Sequence, residues 1–489
     1  MGAPASDGST LRSTWVERDD GELAIGAPEP LRDRTRLGAA EPTTRELARL
    51  VHLTDAHVLD ASSPARVPFL ARFGGSLRST FRPHEALTAQ VLHGALSAAR
   101  AEHAELLIQG GDLIDNAQNN ELTVALALLN GGCVRPGSGP AGYHGVQLST
   151  NPDGAYYRPD IDPPRHPGLL ARASEPFTSR GVGGAWLPVL GDHDALVQGE
   201  LVPTVLTQRV AVGDRALWEP PAALLSPAEP GPAASAGAAA AAPPDELPEA
   251  SWVEAFIERA LAGATVSIPP DPARYELELP EVIARLWLAS RASAPCGRAG
   301  PAPAPGRLDL AVDLGREVRI VALDLVRREG GSGGLVAAEQ PAWLEGQLAA
   351  AADRWVILCT HHPLEDVDGG EAIREVLDRF PRVAATLAGH THRNRIVARE
   401  TAAGGYWEIT TCSLIDFPQQ CRALRIYATA SGGVAIRTWM LDHIGDGHLG
   451  AVARELAHRH AAGRTAHLTG TGWDRNATLY RRAPDARSA

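Results

Sequence analysis

Aspartate and histidine recur in five short clusters, each directly after a run of apolar, β-prone residues. Asp55 and His57 stand in the first, Gly111-Asp112 in the second and Gly191-Asp192-His193-Asp194 in the third. His361-His362-Pro363 and Gly389-His390-Thr391-His392 form the fourth and fifth. One DxH or HxH pair means little, because a lone His at a strand end is more often a hydrogen-bonded structural residue. Five clusters in one chain offer carboxylate oxygen and imidazole nitrogen together, the donor mixture that suits borderline divalent cations. In open α/β sheets, ligands bind beyond the carboxyl ends of the strands, so the five clusters are expected to converge in space.

In this order the clusters resemble those of the calcineurin-like metallophosphoesterases: DxH, GDxxD/N, GNHD/E, a His before a proline, and GHxH. The resemblance runs from about residue 48 to 440, and the segments RPHEALTAQ and DNAQNNEL are similar to an actinobacterial-type branch. It implies a four-layer sandwich of two mixed β-sheets flanked by helices, holding two divalent or trivalent metal ions (Zn, Fe or Mn). Asp55, His57 and His392 would hold the first ion and Asp192, His361 and His390 the second, with Asp112 bridging both. His361 is preferred to His362 because the family ligand lies two residues before the proline. His193, oriented by Asp194, would act beside the metals as transition-state stabiliser or general acid. The implied reaction is in-line attack of a metal-bound, bridging hydroxide on phosphorus, with no covalent protein nucleophile. The substrate would be a small phosphorylated metabolite or nucleotide, either a monoester or a diester. The alternatives are the same dinuclear site turned on an amide or lactone, and a non-catalytic metal-binding scaffold; retention of His193 weighs against the scaffold.

One position departs from the family pattern: the usual asparagine is Asp192. Two divalent ions offset by Asp55, Asp112 and hydroxide leave a formal charge of +1, and an ionised Asp192 brings this to 0. A less positive site attracts a dianionic monoester less, which predicts a tilt towards monoanionic diesters.

Other features read as structural. Gly330-Gly331-Ser332-Gly333-Gly334 matches GxSxG formally, but Arg327-Arg328-Glu329 precede it and glycines flank it, so a flexible loop is expected, not a nucleophile elbow. Cys359 lies within an apolar strand, Trp186 and Trp343 are packing residues, and His458 and His460 are expected to be solvated. Asn116 is expected to cap the following helix, with substrate contact as the alternative.

The elements that must position these residues follow from periodicity. Apolar runs at Arg49–Thr54, Glu105–Gln109, Trp186–Leu190, Glu317–Leu323, Arg354–Thr360 and Val383–Ala388 suit strands buried on both faces. Apolar residues three and four apart predict helices over His84–Ala104 and Ala338–Ala352. The alternation points to an α/β domain with largely parallel strands. Ile396–Ala398, Tyr406–Thr411, Arg422–Tyr427 and Val434–Leu441 read as an antiparallel meander, closed by a helix over Leu449–Ala462. The division expected is an arm (1–45), the catalytic domain (46–445) and a C-terminal helix and tail (446–489). Within the domain, 195–316 form an insertion able to cap the site, with low-complexity loops at 220–248 and 292–306 around a helical patch, Trp252–Ala262.

Composition bounds the rest. The 489 residues are 44% hydrophobic, enough for a large core and against disorder throughout. The net charge of −12 argues against a dedicated nucleic-acid binder, though not against a small phosphorylated substrate. No lysine occurs, which excludes Schiff-base chemistry. Five scattered cysteines without a CxxC pair suggest reduced thiols. Met1–Thr10 has neither a basic nor an apolar signal region, and no apolar run is long enough to span a membrane. A cytoplasmic setting is expected; oligomeric state is left open.

Overall fold

Strand residues here alternate between two hydrophobic environments, and that alternation sets the layers. The computed structural model describes residues 6–73, 75–219, 261, 264–293, 302–351, 353–444 and 447–484. Thirteen strands build two large sheets. They are β1 (Arg32–Leu37), β2 (Thr43–Leu53), β3 (Leu106–Gln109), β4 (Ala185–Pro188), β5 (Leu310–Leu314), β6 (Val318–Leu323) and β7 (Trp355–Thr360). There follow β8 (Val383–Ala388), β9 (Arg395–Arg399), β10 (Tyr406–Thr410), β11 (Gln420–Thr429), β12 (Val434–Asp442) and β13 (Ala477–Arg481). The first sheet has seven strands in the order β1-β13-β12-β11-β2-β3-β4, the second six in the order β5-β6-β7-β8-β10-β9.

The principal helices are α1 (Thr88–Ala101), α2 (Asn119–Asn130), α3 (Leu279–Ala292), α4 (Gln340–Ala351), α5 (Gly370–Leu377) and α6 (His448–His460). On β7, Trp355, Ile357 and Cys359 face the core shared with the first sheet, whereas Val356 and Leu358 face the opposite way. That outer set packs on Leu344 and Leu348 of α4 and on Ile373, Val376 and Leu377 of α5. α1 packs on β11 and β12, and α3 packs on β4 and α2, so helices cover the outer faces of both sheets. The expected sandwich of two mixed sheets between helices is therefore present. β2, β3 and β4 run parallel side by side, as do β6, β7, β8 and β10, so the carboxyl ends that carry the five clusters lie at one rim.

The predicted meander is corrected. β9 and β10 form a hairpin in the second sheet, where β10 pairs parallel with β8; β11 and β12 form a separate hairpin in the first. A chain of short turns cannot show from sequence that it changes sheets. The arm and the tail also differ from expectation. Residues 32–37 form the edge strand β1 and pair parallel with β13, which lies between β1 and β12. The alternation Arg32-Asp33-Arg34-Thr35-Arg36-Leu37 reads as polar loop because an edge strand has little to bury.

Of the insertion, α3 is part of the flanking layer, and Arg274 is fully buried against Asp60 (3.2 Å) and Ser138 (2.7 Å). Pro220–Pro248, all but Leu261 of the Trp252–Ala262 patch, and 294–301 of the second low-complexity loop lie outside the described residues. No helix among the described residues is long and apolar enough to cross a membrane. Cys133, Cys359, Cys412 and Cys421 are free thiols.

Candidate metal centre

Each cluster sits where the chain leaves its strand and turns abruptly. The loops after β2 and β3 continue the parallel ladder: Asp55 N–H donates to Gly111 O (3.1 Å), His57 N–H to Asp112 O (3.0 Å) and Val58 N–H to Leu113 O (2.9 Å). Gly389 N–H donates to His361 O (2.8 Å), joining the loops after β7 and β8. Asp55, His57, Asp112, His390 and His392 all have positive φ, between 41° and 62°. Left-handed backbone costs about 1–2 kcal/mol per non-glycine residue, so five such residues in one site mark conformations imposed by the surrounding fold. Glycines make room for the approach: a Cβ at Gly111 would collide with His361, and one at Gly191 with Asp112.

All seven predicted ligands come together. Asp55, His57 and His392 form one group of donors, and Asp192, His361, His362 and His390 another. Asp112 Oδ2 lies between them, 3.5 Å from His57 Nε2 and 3.2 Å from His361 Nε2. Asp192 Oδ1 is 3.1 Å from His361 Nε2 and 3.3 Å from His390 Nδ1; Asp55 Oδ1 is 3.3 Å from His392 Nε2. Yet His57 Nε2, His361 Nε2 and Asp192 Oδ1 are buried without any hydrogen-bond partner. Buried polar atoms are rarely left unpaired, and here the unpaired atoms belong to donor groups whose ligand atoms lie within 4.8 Å of one another. The donor set fits cations.

The other ring nitrogens fix the tautomers. His361 Nδ1 donates to Gly110 O (2.9 Å), leaving Nε2 free to ligate. His57 Nδ1 donates to Asp115 Oδ1 (3.0 Å) and His392 Nδ1 to Asp416 Oδ2 (2.7 Å), the carboxylate–imidazole pairing that raises ligand basicity. Arg66 and Arg82 stand behind these carboxylates, with Arg66 Nε 3.5 Å from Asp115 and Arg82 Nε 2.9 Å from Asp416. His362 differs: its Nε2 donates to Ser332 O (2.9 Å), which occupies the nitrogen nearest Asp192. That favours His361 over His362 as ligand.

Electrostatics show what the cluster lacks without cations. Burial alone would raise Asp192, but His390 and the neighbouring imidazoles of His361 and His362 hold its carboxyl well below the usual range. His361 is pulled well above the usual imidazole value, against burial, chiefly by Asp112 and Asp192. Likewise His392 rises to about 9 and His193 to about 10, each against burial, through Asp55 and Asp112 respectively.

His193 stands beside the centre, its ring 4.5 Å from that of His57 and its Nε2 4.0 Å from Asp192 Oδ2. Its orientation corrects the expectation about Asp194. Nδ1 of His193 donates to Asp115 O (2.9 Å) and lies 3.3 Å from Asp115 Oδ1. The Asp194 carboxylate instead accepts from the amides of Leu113 (2.8 Å), Ile114 (3.1 Å) and Gly191 (2.9 Å). It locks two motif loops together and does not touch the imidazole, because its one-turn helix aims the side chain back at the backbone. Asn116 is also corrected: it bonds Asp115 Oδ2 (3.3 Å) and Glu121 Oε1 (3.0 Å), while α2 begins after Gln118. His458 is buried against Phe417, which corrects its expected solvation, and His460 is half-buried, tilted over His84. The Gly330–Gly334 loop is tied down, with Gly331 N–H donating to Glu200 O (2.8 Å).

Sequence reasoning overlooked Asp115 and Asp416 as partners of the imidazoles. Asp115 was visible three residues after Asp112. Asp416 follows β10 in Leu414-Ile415-Asp416-Phe417, another acid beyond a strand end.

No family model matches the chain. A curated protein of Arcobacter nitrofigilis, "Probable glycerophosphodiester phosphodiesterase GpdQ", is 34% identical over 87 residues, 16% of this chain. The chain spans 32% of that relative's length. Among solved structures, a dimetal phosphatase from Danio rerio aligns with TM-score 0.41 at 12% identity, covering 82% of this chain and 98% of that one. PhoD aligns at 0.31 and 11% (91% and 81% covered), and SoxB, a sulfate thiohydrolase of Thermus thermophilus, at 0.29 and 12% (88% and 62%). Over the stretch matched, the chain is similar to the Arcobacter protein.

Proposed function

We propose, starting from that likeness, that this protein is a metal-dependent phosphoester hydrolase, with monoanionic diesters as its better substrates. The observation that carries the reading is the convergence of seven Asp and His side chains, three of whose buried ligand atoms (His57 Nε2, His361 Nε2 and Asp192 Oδ1) have no hydrogen-bond partner. Asp55, His57 and His392 would hold one cation, Asp192, His361 and His390 the other, and Asp112 both. Bound there, two cations would supply an acidified water and neutralise charge on the phosphoryl oxygens.

The chain's own groups do the rest. His193 presents Nε2 towards the centre while Asp115 fixes Nδ1, so a proton held on Nε2 can pass to the leaving oxygen. Water adds to phosphorus, the bond from phosphorus to the leaving oxygen breaks, and that oxygen departs as an alcohol. Side chains of His193, His390 and His392 retain 16%, 25% and 16% exposure, against 2% or less for Asp55, His57, Asp112, Asp192 and His361. Substrate therefore approaches across the three histidines.

The diester preference rests on charge. Asp192 adds a carboxylate, and the guanidiniums backing the site, Arg66 and Arg82, are buried and paired with Glu85 and Asp416. Neither can clamp a dianion. The Arcobacter relative is named for activity on a glycerophosphodiester, which agrees with this direction. Metal content of purified protein, with turnover of 4-nitrophenyl phosphate and bis(4-nitrophenyl) phosphate with and without chelator, tests the proposal. Two metals and chelator-sensitive turnover are expected; bound metal without ester hydrolysis refutes it.

A further inference from the structure

Asp115 serves two imidazoles at once: its Oδ1 lies 3.0 Å from His57 Nδ1 and 3.3 Å from His193 Nδ1. A carboxylate can orient two rings only if its own backbone and its second oxygen are held. The group that reaches both is Glu121, the third residue of α2. An acid at that position ordinarily bonds back to the backbone amide of the N-cap residue, here Gln118. Glu121 is buried and bonds elsewhere. Its Oε2 accepts from the backbone N–H groups of Asp115 (3.2 Å) and Asn116 (2.9 Å). Its Oε1 accepts from Asn116 Nδ2 (3.0 Å) and from Asp60 N–H (2.9 Å), on the loop after β2. Asn116 Nδ2 also bonds Asp115 Oδ2 (3.3 Å), which relays the contact to the carboxylate itself. Just beyond, Ala117 N–H donates to His193 O (3.2 Å), so the same segment adjoins the His193 backbone. Burial and Asp115 push the Glu121 carboxyl up to about 8. All four groups facing its oxygens are donors, however, and they fit the carboxylate and not the acid.

We propose that Glu121 is a positioning residue, which pins the loop after β2 to the loop after β3 and thereby holds Asp115 against His57 and His193. This rests on the two-cation reading of the centre. Glu121 bonds none of the seven ligands and acts through Asp115.

Glu121→Gln keeps the shape of the side chain but turns one pair of acceptor positions towards two N–H groups as a donor. Calorimetric titration of the metal-free variant with manganese(II) should show one ion weakened by about tenfold, through His57, and the other close to wild type. At saturating manganese, kcat for bis(4-nitrophenyl) phosphate should fall by about tenfold or more, with KM within about twofold of wild type. Added to Asp115→Ala, Glu121→Gln should change either quantity by less than about twofold, because the group it positions is gone. Asn116→Ala cuts the side-chain relay alone and should give the same pattern, which keeps the test open should Glu121→Gln fail to fold. Equal losses with and without the Asp115 carboxylate, equal weakening of both ions, or no loss at all overturns the proposal. Two bound ions without hydrolysis of any ester in the wild type would overturn the hydrolase reading instead, and the calorimetric comparison would still decide the part played by Glu121.

Discussion

Replacing Asp192 with Asn removes one charge and little else, since the two side chains are nearly isosteric and both offer Oδ1. Asp192 Oδ1 lies 3.1 Å from His361 Nε2 and 3.3 Å from His390 Nδ1, so it faces the second cation position directly. A phosphoryl oxygen on the same cation would be two metal–ligand bonds away, roughly 4–5 Å. At an effective dielectric constant of about 20 to 40, a unit charge at that distance is worth roughly 2–4 kcal/mol. A dianionic monoester feels that repulsion once more than a monoanionic diester does. Asp192→Asn should therefore shift the ratio of kcat/KM for 4-nitrophenyl phosphate over bis(4-nitrophenyl) phosphate upward by about 30-fold or more. The assay is run at saturating metal, because Asn is the weaker ligand and loss of metal would lower both rates. A ratio within about twofold of wild type would refute the charge argument, whatever the absolute rates did.

Four other substitutions or titrations check separate steps. His193→Gln should lower kcat by about 10²–10⁴-fold while two metals remain bound, as metal analysis of the purified variant will show. Asp194→Ala strands three buried amides, of Leu113, Ile114 and Gly191, and should cost about 3 kcal/mol or more in denaturant unfolding. Because Asp194 does not contact His193, Asp194→Asn should leave the pH optimum where it is. Burial raises Glu276 to about 7 in the folded state. A raised carboxyl pKa stabilises the fold below the unfolded value and loses that stability as pH climbs through the folded one, here by up to about 3 kcal/mol between pH 4.5 and 7. Glu276→Gln should therefore raise Tm relative to wild type increasingly from pH 5 to 8.

The ligands were legible because metal chemistry leaves few residue types to choose from, and because a strand end followed by Gly, Asp or His interrupts an apolar run visibly. Strands buried on both faces, such as Val383–Ala388, announced themselves for the same reason. What stayed hidden depends on contacts distant in sequence. Nothing local to Asp416 says that its carboxylate meets His392 and Arg82, 24 and 334 residues away. Asp194 illustrates the opposite error: adjacency in sequence to His193 suggested a partnership, while the helical turn points the two side chains to different neighbours. β1 was missed because an edge strand rich in arginine lacks the apolar face by which strands are recognised, and β13 because it follows α6 and two short helices after the domain had apparently closed.

The second layer around the two cation positions is unequal, and that bears on how they fill. His57 and His392 are backed by carboxylates, Asp115 and Asp416, whereas His361 is backed by the carbonyl of Gly110. A carboxylate makes its imidazole a better donor, so the first position gains affinity that the second obtains only through Asp192. Removing that charge should separate the two binding events. Calorimetric titration of metal-free Asp192→Asn is expected to show one tight ion, close to wild type, and one weakened by about tenfold or more. Equal weakening of both sites would mean that Asp192 acts through the shape of the whole centre and not through the charge of its second half.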